Sequence, residues 1–375
     1  MRPEAIAAME PYLAGCFANP SGIHRAAQAA KTALEEARET IAAVLGAEPG
    51  EVVFTGGGTE ADNLGVEGVA RFRRGARGQD GVVTTAIEHK GVLAAVDRLA
   101  REGFAVKVVG VDPGGIVDLE ALAAALDHNT AVVSVMLVNN EVGTVQRLDR
   151  VAALIRERAP NAAVHTDAVQ AVPWLDVAAQ AADADLVAVS AHKFGGPKGT
   201  GALVVREGVA LTPLIEGGGQ ERGLRAGTVN VAGVVAMAAA MRAAAEQRDV
   251  EVRRIGALRD RLQEGLLAVP DAFSNGSAAH KVAGNCHVGF RGVEAESLLV
   301  ALDRQDVYAA AGSSCSSGAS EPSHVLAAMG VPREDALASI RLSLGFASTP
   351  ADIDRALAII PEAVASLRAR AGILA

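Results

Sequence analysis

The feature that most constrains this chain is an alternation of short, Val-rich runs with stretches of helical periodicity. Strand candidates fall at 52–54, 81–87, 105–111, 131–138, 163–167, 185–190 and 202–206. Most are continuous apolar runs, the pattern of strands buried on both faces. Helical spacing occupies 90–102, 118–127 and 149–158 between them. It also precedes the first strand: Ala30, Leu34, Ala37, Ile41, Val44 and Leu45 share one face, and Gly46 is placed to stop that helix. This order predicts an α/β domain around a largely parallel sheet. An Ala-rich helix is expected at 229–247. From about 250, charged helical segments mix with isolated strands such as 285–290, which predicts a smaller α+β domain.

Composition narrows the function classes. The 375 residues are 50% hydrophobic, enough for about two domains of ~100–200 residues each. A net charge of -9 argues against nucleic acid or an anionic membrane as the main partner. The local exception is Arg71, Arg73, Arg74 and Arg77, read as a solvated loop after a helix because Gly75 and Gly78 interrupt it. Cys16, Cys286 and Cys315 are too few for a disulfide framework and lack metal-ligand spacing, which suits a reducing compartment. No apolar run reaches a membrane span and no signal peptide opens the chain, so a cytoplasmic protein is expected.

Ligands of open α/β sheets gather at the carboxyl ends of the strands, and four polar signals stand at such ends. Thr55-Gly-Gly-Gly-Thr59-Glu60 follows the first strand and opens a helix. It suits a phosphate cradle or a tight structural turn, and it is not a Walker A loop. His89 follows 81–87, as an acid/base, an aromatic stacking partner or a structural histidine. Asp167 ends 163–167, where it suits a protonated pyridine nitrogen or the capping of a turn. Ser190-Ala-His-Lys193 ends 185–190. The chain has six lysines against 29 arginines, so a lysine kept here suggests an amine that must lose its proton, as a Schiff base requires. Cys315 lies in a small, polar segment, Ala-Gly-Ser-Ser-Cys-Ser-Ser-Gly-Ala-Ser, expected to be mobile. Cys16 and Cys286 are read as buried, inert thiols.

Taken in order, these segments resemble the cysteine desulfurases, the NifS/IscS-like group of the class V aminotransferase family among fold-type I pyridoxal-phosphate (PLP) enzymes. The resemblance runs from end to end. It rests on Asn19-Pro-Ser-Gly-Ile-His24, Thr55-Gly-Gly-Gly-Thr-Glu-Ala-Asp-Asn63, Glu88-His89-Lys90, Asn139-Asn-Glu-Val-Gly143, Asp167-Ala-Val-Gln170, Ser190-Ala-His-Lys193, the Gly-rich 217–228, Gly312-Ser-Ser-Cys315, Glu321-Pro-Ser323 and Ser339-Ile-Arg-Leu-Ser343.

The resemblance implies a large PLP-binding domain at 4–248 with a mainly parallel seven-stranded sheet. It also implies a smaller C-terminal α+β domain at 249–375 carrying the cysteine loop at about 309–323. Lys193 would be the Schiff-base lysine. Asp167 would meet the ring nitrogen, Gln170 and Asn140 the ring-oxygen side, and His89 the ring face. Gly58, Thr59, Ser190 and His192 would hold the phosphate. Thr228 would complete the phosphate site of a second subunit, so a homodimer is expected. Arg341, with Asn140, would bind the carboxylate of L-cysteine, a task suited to a planar fork. Cys315 would receive the sulfur as a persulfide for an acceptor protein, such as an iron–sulfur scaffold or a tRNA-thiolation enzyme. Family members usually begin with a short strand and an Asn-Ala-Ala-Thr-Thr-Pro-like segment. Met1-Arg2-Pro3 falls just after that point, so either an in-frame segment precedes Met1 or part of one site wall is missing. The other readings are a selenocysteine lyase, an aminotransferase, or a PLP-binding scaffold inactivated by such a truncation.

Overall fold

The computed structural model describes residues 1–312 and 321–374. They form two compact units. The first comprises Met1–Val109, Leu119–Val138 and Arg147–Arg248, and the second comprises Gly110–Asp118, Asn139–Gln146 and Asp249–Ala375.

The first unit is built on a seven-stranded sheet. Its strands are β1 (Val52–Thr55), β2 (Gly81–Thr85), β3 (Ala105–Val109), β4 (Thr130–Ser134), β5 (Ala163–Asp167), β6 (Leu186–Ser190) and β7 (Gly201–Val205), in the order β1-β7-β6-β5-β4-β2-β3. From β3 to β6 all neighbours are parallel. β7 runs antiparallel to both β6 and β1, so β1 points the same way as the parallel set. Thr55, Thr85, Ser134, Asp167 and Ser190 therefore end their strands at one edge.

The Val-rich runs are strands for the reason their sequence gives. β1, β2, β4, β5, β6 and β7 are buried at every position. Helices covering the sheet add Leu64, Val69, Val96 and Leu99 to a core with Val53, Val82, Val132, Leu186 and Leu203. Each such side chain contributes roughly 1.5–3 kcal/mol on burial.

β3 departs from the both-faces expectation. It is the edge strand and largely exposed, with Lys107 bonded to Asp127 at 2.8 Å. A charged edge of this kind discourages pairing with another chain.

Gly46 does stop its helix, Arg25–Leu45, in the left-handed region at φ 62°. The Arg71–Arg77 segment corrects the sequence reading: it is the end of helix Gly58–Arg77, with Gly75 inside and Gly78 as the left-handed cap. Cationic side chains favour a helix C-terminus, and Arg71 also pairs with Glu102 and Glu67, which together offset one interior glycine at about 1 kcal/mol. The Ala-rich helix runs past 247, from Val231 to Leu267.

The second unit holds an antiparallel sheet of β8 (Ala272–Ser274), β9 (Asn285–Phe290) and β10 (Ser339–Ser343), with β9 central. Among the described residues no helix is long and apolar enough to cross a membrane.

Candidate active site

The polar edge of the first unit starts at the glycine loop. Thr55 ends β1, Gly57 takes φ 146°, and the helix opens at Gly58 with no side-chain cap on its first N–H groups. A Cβ on Gly58 would stand 2.7 Å from Val169 Cγ2 and 3.3 Å from Ser190 Cβ. Only a bare backbone can lie this close to the ends of β5 and β6. Glu60 ties the loop down from within: one oxygen accepts the Gly56 N–H at 2.8 Å, and the other accepts Arg225 Nε at 2.8 Å. Beside the loop is a cavity lined by Gly56–Glu60, Asn63, Ser190, His192, Lys198, Gly199, Leu214 and Ile215. Ser190 Oγ lies 3.0 Å from His192 Nδ1. Burial, then Lys193 and Lys198, hold the His192 imidazole below its usual range.

His89 caps helix Lys90–Arg101, its Nδ1 accepting the Gly91 N–H at 3.0 Å. That bond leaves Nε2 as the protonated nitrogen of the neutral ring. Asn63 links the two helix openings, donating to Thr59 O at 2.8 Å and Gly91 O at 3.2 Å.

Asp167 is 5% exposed. Its Oδ1 accepts the Val169 N–H at 2.9 Å. Burial pushes its carboxyl up, while the Val169 N–H and the nearby His89 and Lys193 pull it back toward the anion. Lys193 ends a single helical turn after β6 and is exposed, as are Thr59, His192 and Thr228; Gln170 is half-buried.

Gly58, Thr59, Ser190 and His192 thus line one cavity, while His89 lies within 4.8 Å of the buried Asp167, on which Lys193 also acts. Asn140 and Arg341 belong to the second unit. There Arg341, on β10, donates from Nη1 to Asn140 O at 2.8 Å, and its backbone pairs with Ala310. Glu141 is fully buried and accepts the Ser323 hydroxyl. Cys315 lies outside the described residues.

Of the other thiols, Cys286 is buried as expected, and burial pushes it up to about 11. Cys16 corrects the sequence reading: it is exposed, because it sits in the irregular segment that follows Tyr12 rather than on a packed face.

Sequence reasoning passed over Asp62, Glu60 and Glu221 as functional groups. Nothing in their local sequence singles them out: Glu60 and Asp62 stand in Thr59-Glu-Ala-Asp-Asn63, and Glu221 stands between Gln220 and Arg222.

An open helix N-terminus against a cradle that a Cβ would fill fits a phosphate, and a buried carboxylate at the same sheet edge, at the end of β5, fits a protonated ring nitrogen. With the sheet order, these define a fold-type I PLP enzyme.

The aminotransferase class-V family model matches residues 1–356. The cysteine desulfurase IscS of Methanosarcina thermophila is 42% identical over 368 residues, spanning 98% of this chain and 90% of that one. A solved NifS-like protein superposes with TM-score 0.91 at 35% identity, covering 98% of this chain and 96% of its own. SspA, solved in complex with cysteine, gives TM-score 0.80 at 32% identity, with 92% and 95% covered. The chain belongs to the class-V aminotransferase family, and within it to the cysteine desulfurases.

Proposed function

We propose that this protein removes sulfur from L-cysteine, leaving L-alanine and a persulfide on Cys315. The observation that carries the reading is the closeness of His89 to the buried Asp167, within 4.8 Å, at the sheet edge that also carries the glycine loop and ends at Ser190-Ala-His-Lys193. Family membership and a relative solved with cysteine support the substrate.

When bound, PLP supplies an electron sink that weakens the bonds of an amino acid at its α-carbon and beyond. The chain's own groups divide the remaining work. Gly58, Thr59, Ser190 and His192 hold the phosphate, and the uncapped N–H groups at Gly58 favour its charge. Asp167, as the carboxylate, would accept a hydrogen bond from the protonated ring nitrogen and so hold the proton on that nitrogen. Gln170 and Asn140 orient the ring oxygen.

His89, with Nδ1 occupied by Gly91, presents Nε2–H for stacking and proton movement. Lys193 anchors the cofactor, then takes and returns the α-proton as a neutral amine. Arg341 meets the substrate carboxylate, its Nη1 positioned by Asn140 O. The Cys315 thiolate attacks the substrate sulfur: an S–S bond forms, the C–S bond breaks, and the carbon gains a proton in place of sulfur. One thiol and one cysteine thus give one persulfide and one alanine.

In the same reading, residues 4–248 are the cofactor domain, and 249–375 the smaller domain with the cysteine loop at about 309–323. The exposed Thr228 completes the phosphate site of a second copy, making a homodimer. The persulfide passes to an acceptor protein of iron–sulfur assembly or tRNA thiolation, in the cytoplasm.

Product analysis tests the reaction. PLP-loaded protein given L-cysteine and a reductant is expected to yield alanine and sulfide in equal amounts. A keto acid without sulfide would make it an aminotransferase instead.

A further inference from the structure

Asp62 is a buried carboxyl beside Asp167 to which the reaction above gives no task. It stands one turn into helix Gly58–Arg77 and is 1% exposed. A carboxylate oxygen of Asp62, a ring nitrogen of His89 and a carboxylate oxygen of Asp167 lie within 4.8 Å of one another. Asp62 Oδ1 is 3.6 Å from His165 Nε2, too long for a hydrogen bond, and it accepts none from the described residues. His165 offers no positive charge: it is wholly buried, with Nδ1 2.8 Å from Ser134 Oγ, and burial pushes its imidazole down to about 3. The third acid facing the group, Glu88, is pushed up to about 8, also by burial.

An ionised carboxylate removed from water needs donors or a cation. Around Asp62 the ionisable groups are the carboxyls of Asp167 and Glu88, the neutral imidazole of His165, and His89. Two acids so close in a dry site take one proton between them. Asp167 is the better seat for the charge, because it has the Val169 N–H at 2.9 Å and the pull of His89 and Lys193.

We propose that Asp62 works as a neutral carboxylic acid, a positioning residue that by giving up its own charge within 4.8 Å of Asp167 keeps the negative charge on Asp167. This rests on the reading of Asp167 as the partner of the ring nitrogen, and it adds a group that touches neither substrate nor cofactor chemistry. It also accounts for an acid in the glycine-loop helix where a serine or alanine would pack more simply.

The test compares wild type with Asp62→Asn, Asp62→Ala, Asp167→Ala and Lys193→Ala, in two readouts besides turnover. In infrared difference spectra at neutral pH, with Glu88→Gln as the common background to remove that residue's own protonated carboxyl, the C=O stretch of a protonated carboxyl is expected with Asp62 in place and lost in Asp62→Asn. In PLP titrations, Asp62→Asn, which keeps shape and donor, is expected to bind within about threefold of wild type. Asp62→Ala is expected to bind about tenfold more weakly. An unchanged protonated-carboxyl band in Asp62→Asn, or binding as weak as that of Asp62→Ala, would overturn the proposal. If Asp167→Ala and Lys193→Ala bind PLP as wild type does, the cofactor reading itself fails, whatever Asp62 does.

Discussion

Glu221 grips Arg38 with both carboxylate oxygens, at 2.8 and 2.9 Å, while one of those oxygens also accepts the Phe54 N–H at 2.8 Å. Both side chains are almost fully buried, and Glu221 holds a left-handed φ of 47° to make the contact. The pair therefore fastens the Gly-rich segment before Thr228 to the strand that feeds the glycine loop.

Breaking it leaves a buried charge without its partner. Arg38→Met or Glu221→Gln alone is expected to cost about 3–5 kcal/mol, and the double replacement less than the sum. Urea unfolding of the two single variants and the double variant measures this. Additive losses would mean that the two residues act independently.

Gly58→Ala tests the phosphate cradle. Its Cβ would fall 2.7 Å from Val169 Cγ2, so the loop must withdraw from the ends of β5 and β6. PLP affinity is expected to fall by about tenfold or more, the scale of one lost charge-assisted contact. Fluorescence titration with PLP reads it, and unchanged affinity would place the phosphate elsewhere.

How far this edge was legible in the sequence depends on what fixes each residue. β2, β4, β5 and β6 were readable because both faces are buried, and each core residue announces itself by being apolar. β3 carried the same valines on an edge, where topology rather than composition decides exposure, so its exposure was missed. Asp167 and Lys193 were legible as strand-end polar residues. Asp62 and Glu221 were not, because their partners, Asp167 and Arg38, are more than a hundred residues away in sequence and only folding brings them together. The arginines around Phe72 were misjudged because one glycine weakens a helix locally, while Glu102, which holds Arg71 through its carboxylate and Arg74 through its carbonyl, is supplied from another helix end.

Glu88 gives a pH signature. Burial pushes its carboxyl up from 4.5 to about 8, while the Thr85 hydroxyl and the Met136 N–H act in the opposite direction. The folded protein then keeps a proton that the unfolded chain has lost. Its contribution is fully present below about pH 4.5 and is lost as pH rises through about 8. Glu88→Gln removes that proton from the balance. Its melting temperature relative to wild type is expected to rise steadily between about pH 5 and pH 8 and level off above. Thermal scans across this range check it, and a pH-independent difference would contradict it.

The two described thiols should differ in reactivity. Cys286 is buried, and burial pushes its thiol up to about 11, so the reactive thiolate is scarce at pH 8. Cys16 is exposed. In a Cys315→Ser background, iodoacetamide on the native protein is expected to modify Cys16 and spare Cys286 until the chain is unfolded. Peptide mass spectrometry reads the sites, and early labelling of Cys286 would mean that the β9 core opens readily.

Sulfide release by PLP-loaded Cys315→Ser, given L-cysteine and a reductant beside wild type, decides whether Cys315 carries the sulfur. The variant should keep the absorption of bound cofactor, still take up cysteine, and release almost no sulfide. Equal sulfide from both proteins would remove Cys315 from the reaction.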